Sequence, residues 1–184
     1  MKNQLSPNAS AALAFIKMLA PDGIVTFQTF DDNKVRKNMG LARVFHGTLD
    51  QHIESLTKLN QQGAGVFIMV NEGDGVIHAG NKTCRTASNV IQVRALFADL
   101  DGSPLEPLLE YSQPDIIVES SPCKWHCYYL TDDCPLDEFK LSQKQIAQKF
   151  NSDPKVCDLP RVMRLPGFWH QKDTPFMSCI IFPE

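Results

Sequence analysis

At Gly63 the spacing of apolar residues changes from a period of 3.6 to a period of 2, and this change restricts the folds open to the chain. Upstream lie two helical stripes. Leu13, Ile16 and Leu19 follow Ser6-Pro7, a cap and a first-turn proline, and stop at Pro21 and Gly23. Leu49, Ile53, Leu56 and Leu59 follow Thr48, which has Gln51 three residues on, the spacing of a capping box. Between them residues 23–30 are β-branched and aromatic, Asp31-Asp32-Asn33 supplies turn residues, and residues 41–46 form a partner strand, which predicts a hairpin. Downstream, strand patterns cover residues 65–70, 94–101, 115–119, 124–130 and 177–182. A tight, mobile loop is expected at 71–75, and one more helix at 135–150 with Leu136, Phe139, Ile146 and Phe150 on its buried face. Helices and strands are interspersed without strict alternation. That predicts an α+β fold with a mostly antiparallel sheet and flanking helices, not a doubly wound parallel sheet.

A length of 184 residues predicts one domain spanning 1–184, and 43% hydrophobic residues supply its core, which excludes disordered and fibrous classes. The net charge of -3 means that any polyanion must be met by a local basic patch. The most apolar N-terminal run, residues 11–20, is broken by Lys17 and has no basic stretch before it, so a soluble, cytoplasmic protein without a membrane partner is expected. Six cysteines without a C-x-x-C pair are expected to be reduced thiols. Cys123, Cys127 and Cys134 cluster around His126, but their spacing lacks the second paired set of a zinc site.

Three segments carry the candidate chemistry. In Phe97-Ala98-Asp99-Leu100-Asp101-Gly102, strand alternation puts Asp99 and Asp101 on one face with α-carbons about 6.5 to 7 Å apart. Like charges so close call for a cation, and hard oxygen donors suit Mg²⁺ or Mn²⁺; the plain alternative is two solvated acids at a strand end. In the second segment Lys124, His126 and Tyr128 share one strand face, and the Ser120-Ser121 turn before them offers hydroxyl and amide donors, a set that suits phosphate. The third, residues 158–172, gathers Arg161, Arg164, His170 and Lys172 around a turn fixed by Pro160 and Pro166-Gly167. Asp158 stands at its start, and Phe168 and Trp169 are available for stacking on a base or for core packing.

In this order Asp-Leu-Asp-Gly, Ser-Ser-x-x-Lys-x-His and Asp-x-x-Arg-x-x-Arg-x-Pro-Gly-x-x-x-x-Lys resemble the RepB-type replicative primase domain of plasmids and phages, within the archaeo-eukaryotic primase and primase-polymerase superfamily. The resemblance also takes in residues 27–30, 46–48, 63–67, Asn71 and Asp74-Gly75. It implies a catalytic core with an RNA-recognition-motif-like sheet, either alone or as the N-terminal part of a larger replication protein. It implies a two-metal Mg²⁺ or Mn²⁺ site at Asp99, Asp101 and Asp158, and nucleotidyl transfer templated by single-stranded DNA. Ser121, Lys124 and His126 match its nucleotide-binding motif; Arg161, Arg164 and Lys172 fall in the basic part that faces triphosphate or template. Its partners are single-stranded DNA, nucleoside triphosphates and a replicative helicase. The chain has no Gly-x-x-x-x-Gly-Lys-Ser/Thr loop and so no helicase of that type. Pro122 and Cys123 stand where many members have small glycines.

Two other functions compete. A rolling-circle or mobilisation nickase joins a strand histidine, a tyrosine and a metal, but it needs two histidines flanking one apolar residue, and Tyr128 stands two after His126. A non-catalytic single-strand binding module would use the aromatics and basic turn and would leave Asp99, Asp101 and Asp158 without a role.

Overall fold

The computed structural model describes residues 5–183. Its elements are α1 (Ala9–Leu19), β1 (Val25–Asp31), β2 (Arg43–Gly47), α2 (Leu49–Gln61), β3 (Ala64–Met69), β4 (Glu72–Gly73), β5 (Val90–Gln92), β6 (Ala95–Leu100), α3 (Glu106–Tyr111), β7 (Ile116–Ser121), β8 (Lys124–Leu130), α4 (Phe139–Phe150), β9 (Val162–Arg164), β10 (Trp169–His170), β11 (Phe176–Met177) and β12 (Cys179–Phe182). The α+β, antiparallel expectation holds, with the strand material divided between two four-stranded sheets ordered β2-β1-β3-β9 and β12-β7-β8-β6. Every pairing in both is antiparallel.

Local signals account for several boundaries. The Thr48 N–H donates to Gln51 Oε1 at 2.8 Å, the reciprocal half of the capping box read from the sequence. In α1 the cap is Asn8, whose Oδ1 accepts from the Ala11 N–H, so the helix starts after Ser6-Pro7. Residues 135–138 form a turn that precedes α4, with Pro135 O accepting from the Glu138 and Phe139 N–H groups. The expected loop at 71–75 is tied down: β4 pairs with β5, and Asn89 Nδ2 donates to Asp74 Oδ1 at 2.7 Å. The segment read as a rigid turn at 158–172 contains β9 and β10, runs too short for a period of 2 to register.

Helix α1 lies in the core shared by both sheets. Its Ala12, Phe15, Ile16 and Leu19 pack with Phe27 of β1, Val66 and Ile68 of β3, Phe97 of β6, Val118 of β7 and Tyr128 of β8. Gly167 makes this approach feasible. It has φ of 86°, its carbonyl accepts from the Asn8 N–H at 2.7 Å, and a Cβ there would collide with the Asn8 carbonyl. A second cluster under α3 and α4 buries Ala98, Leu100, Ile117 and Cys127 on the other face of the β12-β7-β8-β6 sheet. Odd-numbered residues of β6 therefore face the shared core and even-numbered ones face the helices, which determines where Asp99 can point.

Candidate active site

The shared core ends in a cleft of about 520 Å³ where the two sheets part. Asp99, Asp101, Ser121, Lys124, His126, Arg164 and Lys172 all line it, together with Ser120, Phe67, His170 and Lys34. Antiparallel register makes the convergence: Asp99 stands opposite His126, which stands opposite Val118, and Ser121 stands opposite Lys124. From the other sheet Phe67 pairs with Arg164.

The two acids differ. Asp99 is three-quarters buried, and burial pushes its pKa up to about 6, with Asp101 and Asp153 adding repulsion against the attraction of Arg161 and Lys172. Asp101 is exposed and held below the usual carboxylate range, first by its bond from Lys124 Nζ at 2.6 Å. His126 is buried, and burial with Arg164 beside it lowers its pKa to about 3, so the imidazole is neutral at physiological pH. Its Nε2 lies 3.7 Å from Asp99 Oδ1, too long for a hydrogen bond, and its Nδ1 is buried without a partner. His170 likewise has a pKa lowered to about 4, by burial and then Arg164, and its Nε2 is buried and unpaired. Cationic charge in the cleft therefore comes from Lys34, Lys124, Arg164 and Lys172, and the histidines can serve as neutral donors.

Arg164 has its partner in a residue whose sequence context reads as a turn. Asp32, buried after β1, accepts from Arg164 Nη2 at 2.7 Å and Nη1 at 3.2 Å and from the Gln171 N–H at 2.8 Å. The guanidinium also lies 4.7 Å from the Phe67 ring centroid. Sequence alone offers no signal that joins positions so far apart.

Of the residues read as metal or nucleotide ligands, Asp158 and Arg161 do not line the cleft. They form an ion pair with each other, and Arg161 Nη2 donates to Lys155 O at 2.7 Å. Arg161 still reaches Asp99 electrostatically, whereas the third acid that does so is Asp153, not Asp158. Among the described residues no group of three His, Cys, Asp or Glu side chains is placed to hold a metal ion, so the three-acid cage is not assembled here. Phe168 belongs to the core and is not free to stack on a base, whereas Trp169 is partly buried and donates from Nε1 to Ser6 O at 2.9 Å. Tyr128, the hydroxyl a nickase would use, is fully buried with its ring 5.3 Å from that of Phe15.

Comparison with known proteins finds similarity in one segment and in the fold. Residues 88–177 match the family model of the RepB DNA-primase N-terminal domain, a stretch that contains both Asp99-Leu100-Asp101 and the basic turn. The fold is similar to that of the AEP domain of the cyanophage S-2L primase-polymerase, with a TM-score of 0.74 and 18% identity over 98% of this chain and 92% of that one. It is also similar to the catalytic domain of primase RepB′ solved in complex with initiator DNA, with a TM-score of 0.62 and 18% identity over 93% of this chain and 84% of that one. No curated protein matches in sequence. The fold is thus that of the primase catalytic domains it resembles, and the segment that matches the primase family model lies within it.

Proposed function

We propose that the chain is a primase or primase-polymerase that synthesises primers on single-stranded DNA by metal-dependent nucleotidyl transfer. The observation that carries this reading is the meeting of Asp99 and Asp101 with Lys124, His126, Arg164 and Lys172 in one cleft, from strands of both sheets. The donor set fits a divalent cation: two hard carboxylates on one strand face, one of them desolvated and crowded by negative charge. Asp99 and Asp101 would hold Mg²⁺ or Mn²⁺, and the metal, when bound, supplies activation of a 3′-hydroxyl and neutralisation of the departing pyrophosphate. Lys124 pairs with Asp101 in the cleft, and its ammonium would also serve a triphosphate bound there. Arg164, fixed by Asp32, adds fixed positive charge to the same cleft, while Ser121 and His126 contribute neutral donors. In this reading Asp158 would serve as a further carboxylate for the metal and Arg161 as a cation for triphosphate or template. A replicative helicase and nucleoside triphosphates are its expected partners.

The test is primer synthesis with single-stranded DNA, labelled nucleotides and Mg²⁺ or Mn²⁺. Asp99→Ala and Asp101→Ala should each lower the rate by about 10²- to 10⁴-fold with the fold intact, because each removes a metal ligand worth several kcal/mol in the transition state. Synthesis at the wild-type rate by both variants would remove the metal site from this cleft. Asp158→Ala belongs to the same series, and full activity there would leave Asp158 as the partner of Arg161 alone.

A further inference from the structure

Between β1 and β2 the chain makes an eleven-residue excursion, residues 32–42, that rises from the rim of the cleft. Its base is the buried Asp32 that holds Arg164, and its Lys34 lines the cleft itself. Beyond that point Val35 and Met39 are 94% and 78% exposed. Alternating with them, Lys34, Lys37 and the following Arg43 carry positive charge and make no ion pair among the described residues. A single exposed valine or lysine is ordinary surface. Two apolar side chains interleaved with three unpaired cations, continuous with a basic cleft in a chain of net charge -3, are a more specific arrangement.

The excursion is also built to hold that shape. Asp31 accepts from Arg36 Nε at 2.8 Å and Nη2 at 2.7 Å, from the Asn33 N–H at 2.9 Å and from the Asn38 N–H at 2.7 Å. Asn33 Oδ1 accepts from the Val35 and Arg36 N–H groups, and Arg36 Nη2 reaches back to Gln62 O at 3.2 Å. At the far end Thr29 Oγ1 donates to Leu41 O at 2.6 Å and Gln28 Nε2 to Arg43 O at 3.0 Å. Asp31 and Arg36 thus cancel each other internally. The charges that remain outward are all positive. The lysine concentration is felt inside the cleft too, where burial, Arg164 and then Lys34 lower the pKa of Lys172.

We infer that the β1–β2 excursion is the surface that receives single-stranded DNA leaving the cleft, with Lys37 and Arg43 on successive phosphates and Val35 and Met39 against unstacked bases. The inference rests on the primase reading for the identity of the strand, and the physical match is general: a polyanion for the cations, exposed base faces for the apolar tips. A duplex would hide those faces, and a protein partner of acidic character is the competing occupant.

The experiment measures affinity for a single-stranded oligonucleotide across a range of salt concentrations, so it does not depend on primer synthesis. In K37G/R43A, the glycine substitution relieves the positive φ of 46° at Lys37 while removing its charge. This variant should bind about tenfold more weakly at low salt. Its plot of log affinity against log salt should flatten by about 1.4, since each lost phosphate contact on a single strand removes about 0.7 from the slope. Binding of a nucleoside triphosphate with Mn²⁺, measured without DNA, should be unchanged. V35S/M39S should weaken binding with the slope kept, which separates base contact from charge. Unchanged affinity and slope in K37G/R43A, with a wild-type melting temperature, would overturn the inference, as would equal loss on duplex and single strand. Normal DNA results beside an absence of primer synthesis would instead count against the function proposed above.

Discussion

At the scale of single residues, the cleft contains a carboxyl whose ionisation opposes the fold. The Asp99 carboxyl, raised to about 6 chiefly by burial and then by Asp101 and Asp153, holds its proton to higher pH than it would in the unfolded chain, where the ordinary value is 3.8. Ionising it therefore costs stability; the cost is absent below about pH 4 and complete above about pH 6. Asp99→Asn removes the charge and keeps the shape. In metal-free protein it should raise unfolding free energy by about 1–3 kcal/mol near neutral pH, an upper range set by a shift of roughly two pK units, and the gain should vanish toward pH 4. With saturating Mn²⁺ the order should reverse, because the wild-type carboxylate then has a cation to bind and the asparagine does not. Denaturant midpoints taken with and without metal at several pH values check this, and a pH-independent difference would show that Asp99 is not the strained group.

At the scale of elements, β6 lies at the edge of its sheet, and a side chain closes that edge. Gln143 of α4, fully buried, accepts from the Phe97 N–H at 2.8 Å and donates to Phe97 O at 3.1 Å and Val156 O at 3.2 Å. It supplies the bonds a neighbouring strand would make. Gln143→Leu should cost about 2–4 kcal/mol, because it strands a buried donor and two acceptors, and should speed hydrogen exchange at the Phe97 amide. A loss below about 0.5 kcal/mol would mean that water replaces the amide. This edge also shows which parts of the fold the sequence could not disclose. The α2 cap and the parity that aims Asp99, His126 and Lys124 into one cleft depend on neighbours within a few residues, so they were legible. Asn60 bonding to Trp169, Asn71 to Leu159 and Gln143 to Phe97 join backbone far apart in the chain, and a buried amide is written like a solvated one. β9, with three residues, lies below the length at which alternation registers, so its segment read as a turn and the pairing that seats Arg164 beside Phe67 was missed.

At the scale of the whole molecule, the cleft is lined by both sheets that share one core, and Asp32–Arg164 ties β1 to β9 across β3 on the side of the β2-β1-β3-β9 sheet. Asp32 leaves β1, Arg164 ends β9, and Gly65 between them on β3 leaves the room: a Cβ there would stand 2.5 Å from Asp32 Oδ1 and 2.6 Å from Arg164 Nη1. Architecture and chemistry meet in this pair, and they can be separated. Asp32→Asn keeps an acceptor for the Gln171 N–H but leaves a buried guanidinium without its counter-charge, which should cost about 3–5 kcal/mol. Adding Arg164→Met removes that stranded charge, so the double variant should recover most of the lost stability. Triphosphate binding in the presence of Mn²⁺ should not recover with it, because the guanidinium charge that lines the cleft has gone. Unfolding curves and calorimetric titration of the wild type, D32N and D32N/R164M distinguish the two effects. A double variant that is restored in stability and also binds nucleotide normally would make Arg164 a structural tie between β1 and β9 and leave the phosphates to Lys124 and Lys172.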